Sequence, residues 1–397
     1  MSGLETELRA ELESLGEAGT LKRIPVVDSP QGPLVGLRGL GEVLCLCSND
    51  YLGLANDPAV VQAGLDGLAR YGAGTGSVRF ICGKFAPQVE LERDLAEFLR
   101  VDAALTFVSC WTANAALLDA LCDRRTAVFS DRLNHASIID GMRLARPGHK
   151  AVYEHADVGD LRAKLEATER QFERRLIITD GVFSMEGDLA PLDGLLDVAR
   201  EHDAVLVVDD SHGIGVIGET GRGTAERFGL LGEPELIFTG TLGKALGGAA
   251  GGFVAGSEAL CSVLEQRSRP QLFSNGLPPT VAASARQALA ELRERPQLVA
   301  KLRDNTVAMR AALAANGLTP LDGESAIVPI IVGETRVAIE ISTALLERGI
   351  YVTGFGYPVV PEGAARVRIQ VSAALEREQI EAAAGSLAAV AAGYSKT

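Results

Sequence analysis

The sequence predicts an α/β chain, with a mostly parallel, helix-covered sheet in a large domain and a smaller C-terminal α+β domain. Three observations predict it. Short apolar runs alternate with helical patterns through the middle of the chain. The texture changes at Leu277-Pro278-Pro279, after which long charged helices take over. A chain of 397 residues exceeds a single ordinary core, and its 47% apolar content supports a well-buried globular enzyme.

The elements follow in order. Residues 1–16 alternate glutamate and leucine at helical spacing, which reads as an amphipathic helix, an arm that docks on the rest. That segment lacks a basic start followed by an apolar stretch, so it does not read as a secretory signal. An apolar run at 43–46 precedes a loop at Asn49, and helical patterns cover 58–71 and 87–99. Strand-like runs stand at 104–108, 127–130, 176–179, 205–208, 236–239 and 252–254, alternating with helical stretches; continuous apolar runs of this kind mark parallel strands buried on both faces. Helices are expected at 281–295 and 297–315, ordered segments at 326–332, 336–348 and 366–370, and a last helix from Glu376. The domains therefore read as 1–48 for the N-terminal helix and arm, 49–280 for the large domain and 281–397 for the small one.

A formal charge of −14 argues against nucleic acid or an anionic membrane surface as a general partner. No stretch approaches the ~18 consecutive apolar residues of a membrane span. The six cysteines show no paired metal spacing, and Cys45 and Cys47 alternate along one strand face. They read as small buried hydrophobes in a reducing, cytoplasmic compartment, with no metal.

Chemistry gathers at four places. Lys244 lies in Thr239-Gly240-Thr241-Leu242-Gly243-Lys244-Ala245-Leu246-Gly247-Gly248, behind an apolar run, where a Schiff-base lysine belongs; a surface lysine in a turn is the plainer alternative. Val207-Val208-Asp209-Asp210-Ser211-His212-Gly213 ends a buried-strand run in two carboxylates and an imidazole. An aspartate there suits a pyridinium nitrogen, although a helix N-cap reads the same way. Ile178-Thr179-Asp180-Gly181-Val182-Phe183-Ser184 closes another such run, with Ser184 readable as a simple turn hydroxyl. Asn134-His135-Ala136-Ser137 sets a histidine at a helix start.

Two glycine-rich stretches are distractors. Gly213-Ile214-Gly215-Val216-Ile217-Gly218 fits a dinucleotide fingerprint literally, but Glu219-Thr220-Gly221-Arg222-Gly223 follows where a helix has to begin. The segment at Gly240 is no P-loop, because Phe238 and Ala245 occupy the positions of its first glycine and its hydroxyl.

From Ser48-Asn49-Asp50-Tyr51-Leu52-Gly53-Leu54-Ala55 through Ser77-Val78-Arg79-Phe80-Ile81-Cys82-Gly83, the four segments above, Arg267-Ser268-Arg269-Pro270-Gln271-Leu272-Phe273-Ser274-Asn275 and Arg366-Val367-Arg368, the chain resembles the α-oxoamine synthases. These depend on pyridoxal 5′-phosphate and have the fold type I of such transferases, with a seven-stranded-type sheet. Through 77–83 and Gly349-Ile350-Tyr351-Val352-Thr353-Gly354-Phe355 the resemblance points to the glycine C-acetyltransferase (2-amino-3-ketobutyrate coenzyme A ligase) branch. It implies that Lys244 forms the Schiff base and then removes the glycine α-proton. It gives Asp209 the pyridine nitrogen, His135 the ring face, and His212 and Ser184 places near the phenolic oxygen and the substrate. Cys110 and Trp111 match amides that bind phosphate, although packing in a core explains a lone tryptophan equally well. Thr241 adds a hydroxyl, and Ser274 arrives from the other subunit of a homodimer. Arg368, which reads otherwise as a strand-end surface arginine, takes the substrate carboxylate with Asn49.

The expected reaction joins an amino-acid α-carbon, glycine, to an acyl thioester, acetyl-CoA, or runs in reverse. Four positions depart from the pattern: Lys84 and Gln88 replace a usual threonine and histidine, and Ile369 and Leu375 another such pair. They point to the alternative of a specialised biosynthetic relative using another amino acid or another, carrier-bound acyl thioester, or to a pocket where Lys84 binds an anion. A regulatory module and a nicotinamide-dependent dehydrogenase fit less well: the chain opens on an acidic helix, and the dinucleotide fingerprint lacks its helix.

Overall fold

Strands form where aliphatic and β-branched residues run unbroken, and the longest such runs make the centre of the large sheet. The computed structural model describes residues 3–22, 24–168 and 171–394. Its seven-stranded sheet runs in the spatial order Ala103–Phe107, Gly252–Gly256, Leu236–Thr241, Val205–Asp209, Arg174–Asp180, Thr126–Asp131 and His149–Tyr153. Gly252–Gly256 pairs antiparallel with both its neighbours, and the remaining pairings are parallel. Thr126–Asp131 is buried at every position, which is why its sequence shows no polar alternation.

Helix ends are fixed by local chemistry. Ser109 caps Cys110–Leu121: its Oγ accepts from the Thr112 N–H at 3.1 Å, and the Ser109 N–H donates to Thr112 Oγ1 at 3.2 Å. Asp57 caps Pro58–Tyr71, whose first residue is the proline favoured there. Pro279–Glu294 packs against Pro58–Tyr71 where glycines remove the side chains. A Cβ on Gly64 would collide with Ser284, and one on Gly67 would stand 3.0 Å from Ala283 Cβ.

The chain divides into two compact units, Asn49–Ser184 with Asp188–Leu302, and Met1–Ser48 with Met185–Gly187 and Arg303–Thr397. The boundary expected at residue 280 thus falls at 302, because Pro279–Glu294 is anchored on Pro58–Tyr71. The first 48 residues group with the C-terminal part for an equally local reason: Gly41–Cys45 pairs in parallel with Ile350–Tyr351, and the Gln370 N–H donates to Leu46 O at 2.8 Å.

That smaller unit holds two three-stranded sheets, Leu34–Leu37, Gly41–Cys45 and Ile350–Tyr351 in one, and Ile327–Gly333, Ala365–Gln370 and Thr353–Phe355 in the other. Residues 336–348 fold mainly as the helix Thr335–Leu346. The arm helix Gly3–Glu17 buries none of its residues and leaves Leu4, Leu8, Leu12 and Leu15 exposed. Among the described residues, no helix is long and apolar enough to cross a membrane.

Candidate active site

Strand register builds the floor of the site. Asp180 aligns with Asp209, and Asp209 with Thr239, at the carboxyl ends of three parallel strands, where open α/β sheets bind ligands. Asp209 is buried, its Oδ2 accepting from Asn114 Nδ2 at 2.7 Å and its Oδ1 from the Ser211 N–H at 3.1 Å. Those two bonds hold the carboxylate in one orientation. Asp180 accepts from the His135 N–H at 3.3 Å; burial, reinforced by neighbouring Asp209, lifts its carboxyl well above the usual range.

The next residue, Asp210, serves the scaffold. Its Oδ2 accepts from the Thr224 N–H at 2.8 Å, and a Cβ added at Gly181, Gly213 or Gly223 would overlap its carboxylate. Burial pushes this acid up to about 7. Gly213 and Gly223 therefore answer to a side chain and not to a dinucleotide. Residues 213–223 form turns closed by an Ile214–Arg222 bridge, and a helix starts only at Thr224.

The walls rise from helix ends and one loop. The first turn of Cys110–Leu121 opens onto the cavity, with Cys110 Sγ 3.7 Å from both Asp209 oxygens. His135 caps Ala136–Ala145, its Nδ1 meeting Ser137 Oγ at 2.8 Å, and Asn114 Nδ2 donates to the same hydroxyl at 2.8 Å. Burial lowers the pKa of the His135 imidazole; Asp209 opposes that shift and Lys244 adds to it. Trp111 meets His135 edge-on, centroids 5.8 Å apart at 80°, and is 44% exposed. It forms a rim, so the core-packing alternative for this tryptophan does not hold.

Thr241 ends its strand, and half-buried Lys244 follows three residues later. Lys244 Nζ lies 2.9 Å from His212 Nε2, and His212 Nδ1 lies 2.7 Å from the Tyr51 hydroxyl. Together these residues enclose a cavity of about 230 Å³. Lys244, Asp209, His135, His212, Cys110, Trp111 and Thr241 all line it, as do Asp180 and Ser211.

Eight further positions that the sequence singled out lie outside that wall. Ser184 sits half-buried in the turn after Phe183. Ser274 is exposed at the end of Arg269–Phe273 and borders a separate small cavity. Asn49 accepts from the Tyr51 hydroxyl at 3.5 Å, in the larger unit. Arg368 belongs to the smaller unit, 8% exposed on Ala365–Gln370, its guanidinium stacked 4.5 Å over the Phe355 ring. It is therefore no surface arginine. Lys84 pairs with Glu265 instead of standing as an open anion site. Gln88 is a structural tie, accepting from the Phe85 N–H at 3.1 Å and donating to Leu277 O at 2.6 Å. Ile369 and Leu375 are wholly buried in the smaller unit. None of these four positions lines the 230 Å³ cavity, so the substitutions there do not reshape its wall.

The sequence reading missed Asn114, Ser211 and Tyr51, and gave Asp180 no role of its own. Asn114 carried one signal: it is an amide set between alanines at 113 and 115–116 and the leucines at 117–118, and the structure buries it fully. Tyr51 carried none, since its partner lies 161 residues away.

The family model for aminotransferase class I and II matches residues 41–387. A mitochondrial 2-amino-3-ketobutyrate coenzyme A ligase of Bos taurus is 45% identical over 94% of this chain and 89% of its own. An 8-amino-7-oxononanoate synthase of Thermoanaerobacter pseudethanolicus is 43% identical over 95% and 94%. The high-resolution structure of SPT with a PLP internal aldimine superposes with a TM-score of 0.92 over 99% of both chains, at 29% identity.

Proposed function

The chain belongs to the class I and II aminotransferases and, within them, to the α-oxoamine synthases, and we propose that it is a pyridoxal 5′-phosphate-dependent acyltransferase acting between glycine and acetyl-CoA. The observation that carries this reading is Lys244 Nζ in the wall of a cavity that also holds the Asp209 carboxylate and an open helix N-terminus. This donor set fits the cofactor. A helix start suits the phosphate, a buried carboxylate a protonated ring nitrogen, and an amine the aldehyde. When bound, the pyridoxal ring supplies an electron sink for the substrate α-carbon.

The chain's own residues do the rest. Asp209, oriented by Asn114 and Ser211, holds a proton at the ring nitrogen. Cys110 and Trp111 offer their amides to the phosphate, with the Thr241 hydroxyl beside them. His135 covers one ring face, braced edge-on by Trp111. His212 and Ser184 address the phenolic oxygen and the substrate. Lys244 Nζ, tethered within reach of the substrate α-carbon, would serve as the base that takes the α-proton of glycine. Arg368 would offer the substrate carboxylate its planar fork, and Asn49 is a second candidate for that role. Ser274 reaches the phosphate site of a second copy in a homodimer, which we place in the cytoplasm, where the six free cysteines stay reduced. The products are 2-amino-3-ketobutyrate and coenzyme A, and the reverse direction uses the same groups.

The relative named for 8-amino-7-oxononanoate supports a second reading, a longer acyl thioester or another amino acid at the same site. Two measurements test the assignment. Added pyridoxal phosphate should give an absorbance band that borohydride bleaches and that Lys244→Ala lacks; no band in the wild type would overturn the enzyme reading. Thiol release from acetyl-CoA should require glycine, and release only from longer acyl thioesters or with other amino acids would move the chain to the second reading.

A further inference from the structure

Ser137 is wholly buried in the first turn of Ala136–Ala145, and its hydroxyl touches two groups of the site. Asn114 Nδ2 donates to Ser137 Oγ at 2.8 Å, and His135 Nδ1 lies 2.8 Å from the same oxygen. The amide nitrogen also donates to Asp209 Oδ2 at 2.7 Å. Asp209, Asn114, Ser137 and His135 thus share one line of polar atoms.

We propose that Ser137 is a positioning residue that donates its hydroxyl hydrogen to His135 Nδ1, and so keeps the imidazole at the cofactor ring neutral, with its hydrogen on Nε2. The proposal rests on the reading of His135 as the group that covers that ring. The direction of the line follows from groups that have only one role. A carboxylate oxygen only accepts, so the Asn114 atom 2.7 Å from Asp209 is the amide nitrogen. Its two hydrogens go to Asp209 and to Ser137 Oγ, and the Cys110 sulfur, 3.9 Å away, is the most distant of its three acceptors. The Ser137 oxygen therefore already receives a hydrogen. Among the described residues, the acceptor left for its own is His135 Nδ1. A backbone group gives the same answer independently, because the Ser137 N–H donates to Nδ1 at 3.3 Å and an amide N–H cannot accept. With Nδ1 accepting, a neutral imidazole carries its hydrogen on Nε2.

Protonating His135 would set a hydrogen on Nδ1, against the Ser137 N–H and the hydroxyl hydrogen together. The hydroxyl would have to turn away, at a wholly buried position that bulk solvent does not reach. That cost falls on the charged form alone. It acts in the same direction as burial, which lowers the pKa of this imidazole. Among the charged and titratable groups around it, Lys244 adds to the lowering and Asp209 opposes it, while Asp180, Cys110 and His212 line the same cavity. Neutrality matters because a ring protonated at Asp209 is cationic, and an imidazolium against its face would repel it. The Asn114 amide thereby serves two partners, the acid at the ring nitrogen and, through Ser137, the imidazole at the ring face.

The test uses the full-length protein, first freed of cofactor and carrying ¹⁵N-labelled histidine. His135 is identified among the five histidines by the signal lost in His135→Gln. At pH 8 the wild type should carry the His135 hydrogen on Nε2; a hydrogen on Nδ1 overturns the proposal with no variant at position 137 involved. In a titration from pH 8 to pH 5, Ser137→Ala should raise the midpoint of His135 protonation by about one pH unit. Ser137→Thr, which keeps the hydroxyl, should hold the wild-type midpoint. An unchanged midpoint in Ser137→Ala overturns the proposal, and so does an equal rise in both variants, the mark of disturbed packing. Should either variant not fold, the wild-type spectrum and the other variant still decide. Added pyridoxal phosphate should then bind Ser137→Ala as tightly as the wild type at pH 8 and up to about tenfold more weakly near pH 5. A deficit equal at both values overturns the proposal. If the wild type itself binds no pyridoxal phosphate, the functional reading fails, while the histidine spectra, recorded without cofactor, still decide the role of Ser137.

Discussion

Two pairs of carboxylates, one pair wholly buried and the other half-buried at Asp188, stand at the same end of the large sheet, and they are treated in opposite ways. Asp131 and Asp188 are bridged by His155, whose Nδ1 lies 3.2 Å from one and whose Nε2 lies 2.8 Å from the other. Burial opposes that imidazolium, but the two carboxylates outweigh it and raise its pKa to about 10. Asp180 and Asp209, on the next two strands across, line an open cavity together with Lys244. One cluster carries its own counterion, the His155 imidazolium, and lies outside the cavity wall. The other lies open to the cavity, and its Asp209 is oriented by neutral donors, the Asn114 amide and the Ser211 N–H.

Substitutions can break this contrast from either side. The largest effect is expected at the open cluster. Asp209→Asn keeps the shape but, on the proposed function, loses the group that would hold a proton on the ring nitrogen, so thiol release should fall on the order of 10³-fold, with little change in melting temperature. A mild loss of activity would show that Asp209 is as structural as Asp131.

The closed cluster predicts the reverse pattern. His155→Ala leaves Asp131 buried without its cation, at a cost of about 3 kcal/mol, measurable by chemical denaturation. His155 does not line the cavity, so turnover per folded molecule should change far less than in Asp209→Asn. The sign of the pH dependence follows from the raised pKa. The contribution of His155 is complete below its ordinary value of 6.5, and it drains away as pH rises toward about 10. His155→Gln should flatten the wild-type stability curve across that alkaline window.

Asp210, fully buried between the two patterns, sharpens the comparison with the smallest effect. Its carboxyl is raised to about 7 from 3.8, so the folded state holds a proton that the unfolded chain releases. Stability should therefore fall as pH rises from about 4 to 7, then level off. Asp210→Asn should remove that decline, seen as a gain over the wild type at pH 7.5 that is absent at pH 4. An equal response at both values would mean that the nest tolerates the charge.

Much of this was legible in the sequence because parallel strands buried on both faces are unbroken apolar runs, and the residues that close them are placed by the sheet. Asp209, His212 and Lys244 could be assigned to one site from their positions after such runs. The edge strand His149–Tyr153 was not legible: its burial alternates, polar residues interrupt it, and it leaves no continuous run. Contacts across long stretches were equally hidden. Nothing in the spacing of Asn114 and Asp209 announces a 2.7 Å bond. Ile369 and Leu375 show a further limit, since a change from polar to apolar reads alike in a substrate pocket and in a packed interior, and here burial shows the interior.

The nest around Asp210 has a consequence for how this sequence can drift. Gly181, Gly213 and Gly223 each leave room for one and the same carboxylate, so a methyl group at any of them is blocked for as long as Asp210 stays. Position 210 has to shrink before any of these glycines can grow, and two keep a second barrier: a Cβ on Gly181 also stands 2.7 Å from Thr224 Oγ1, and Gly223 sits at φ 88°.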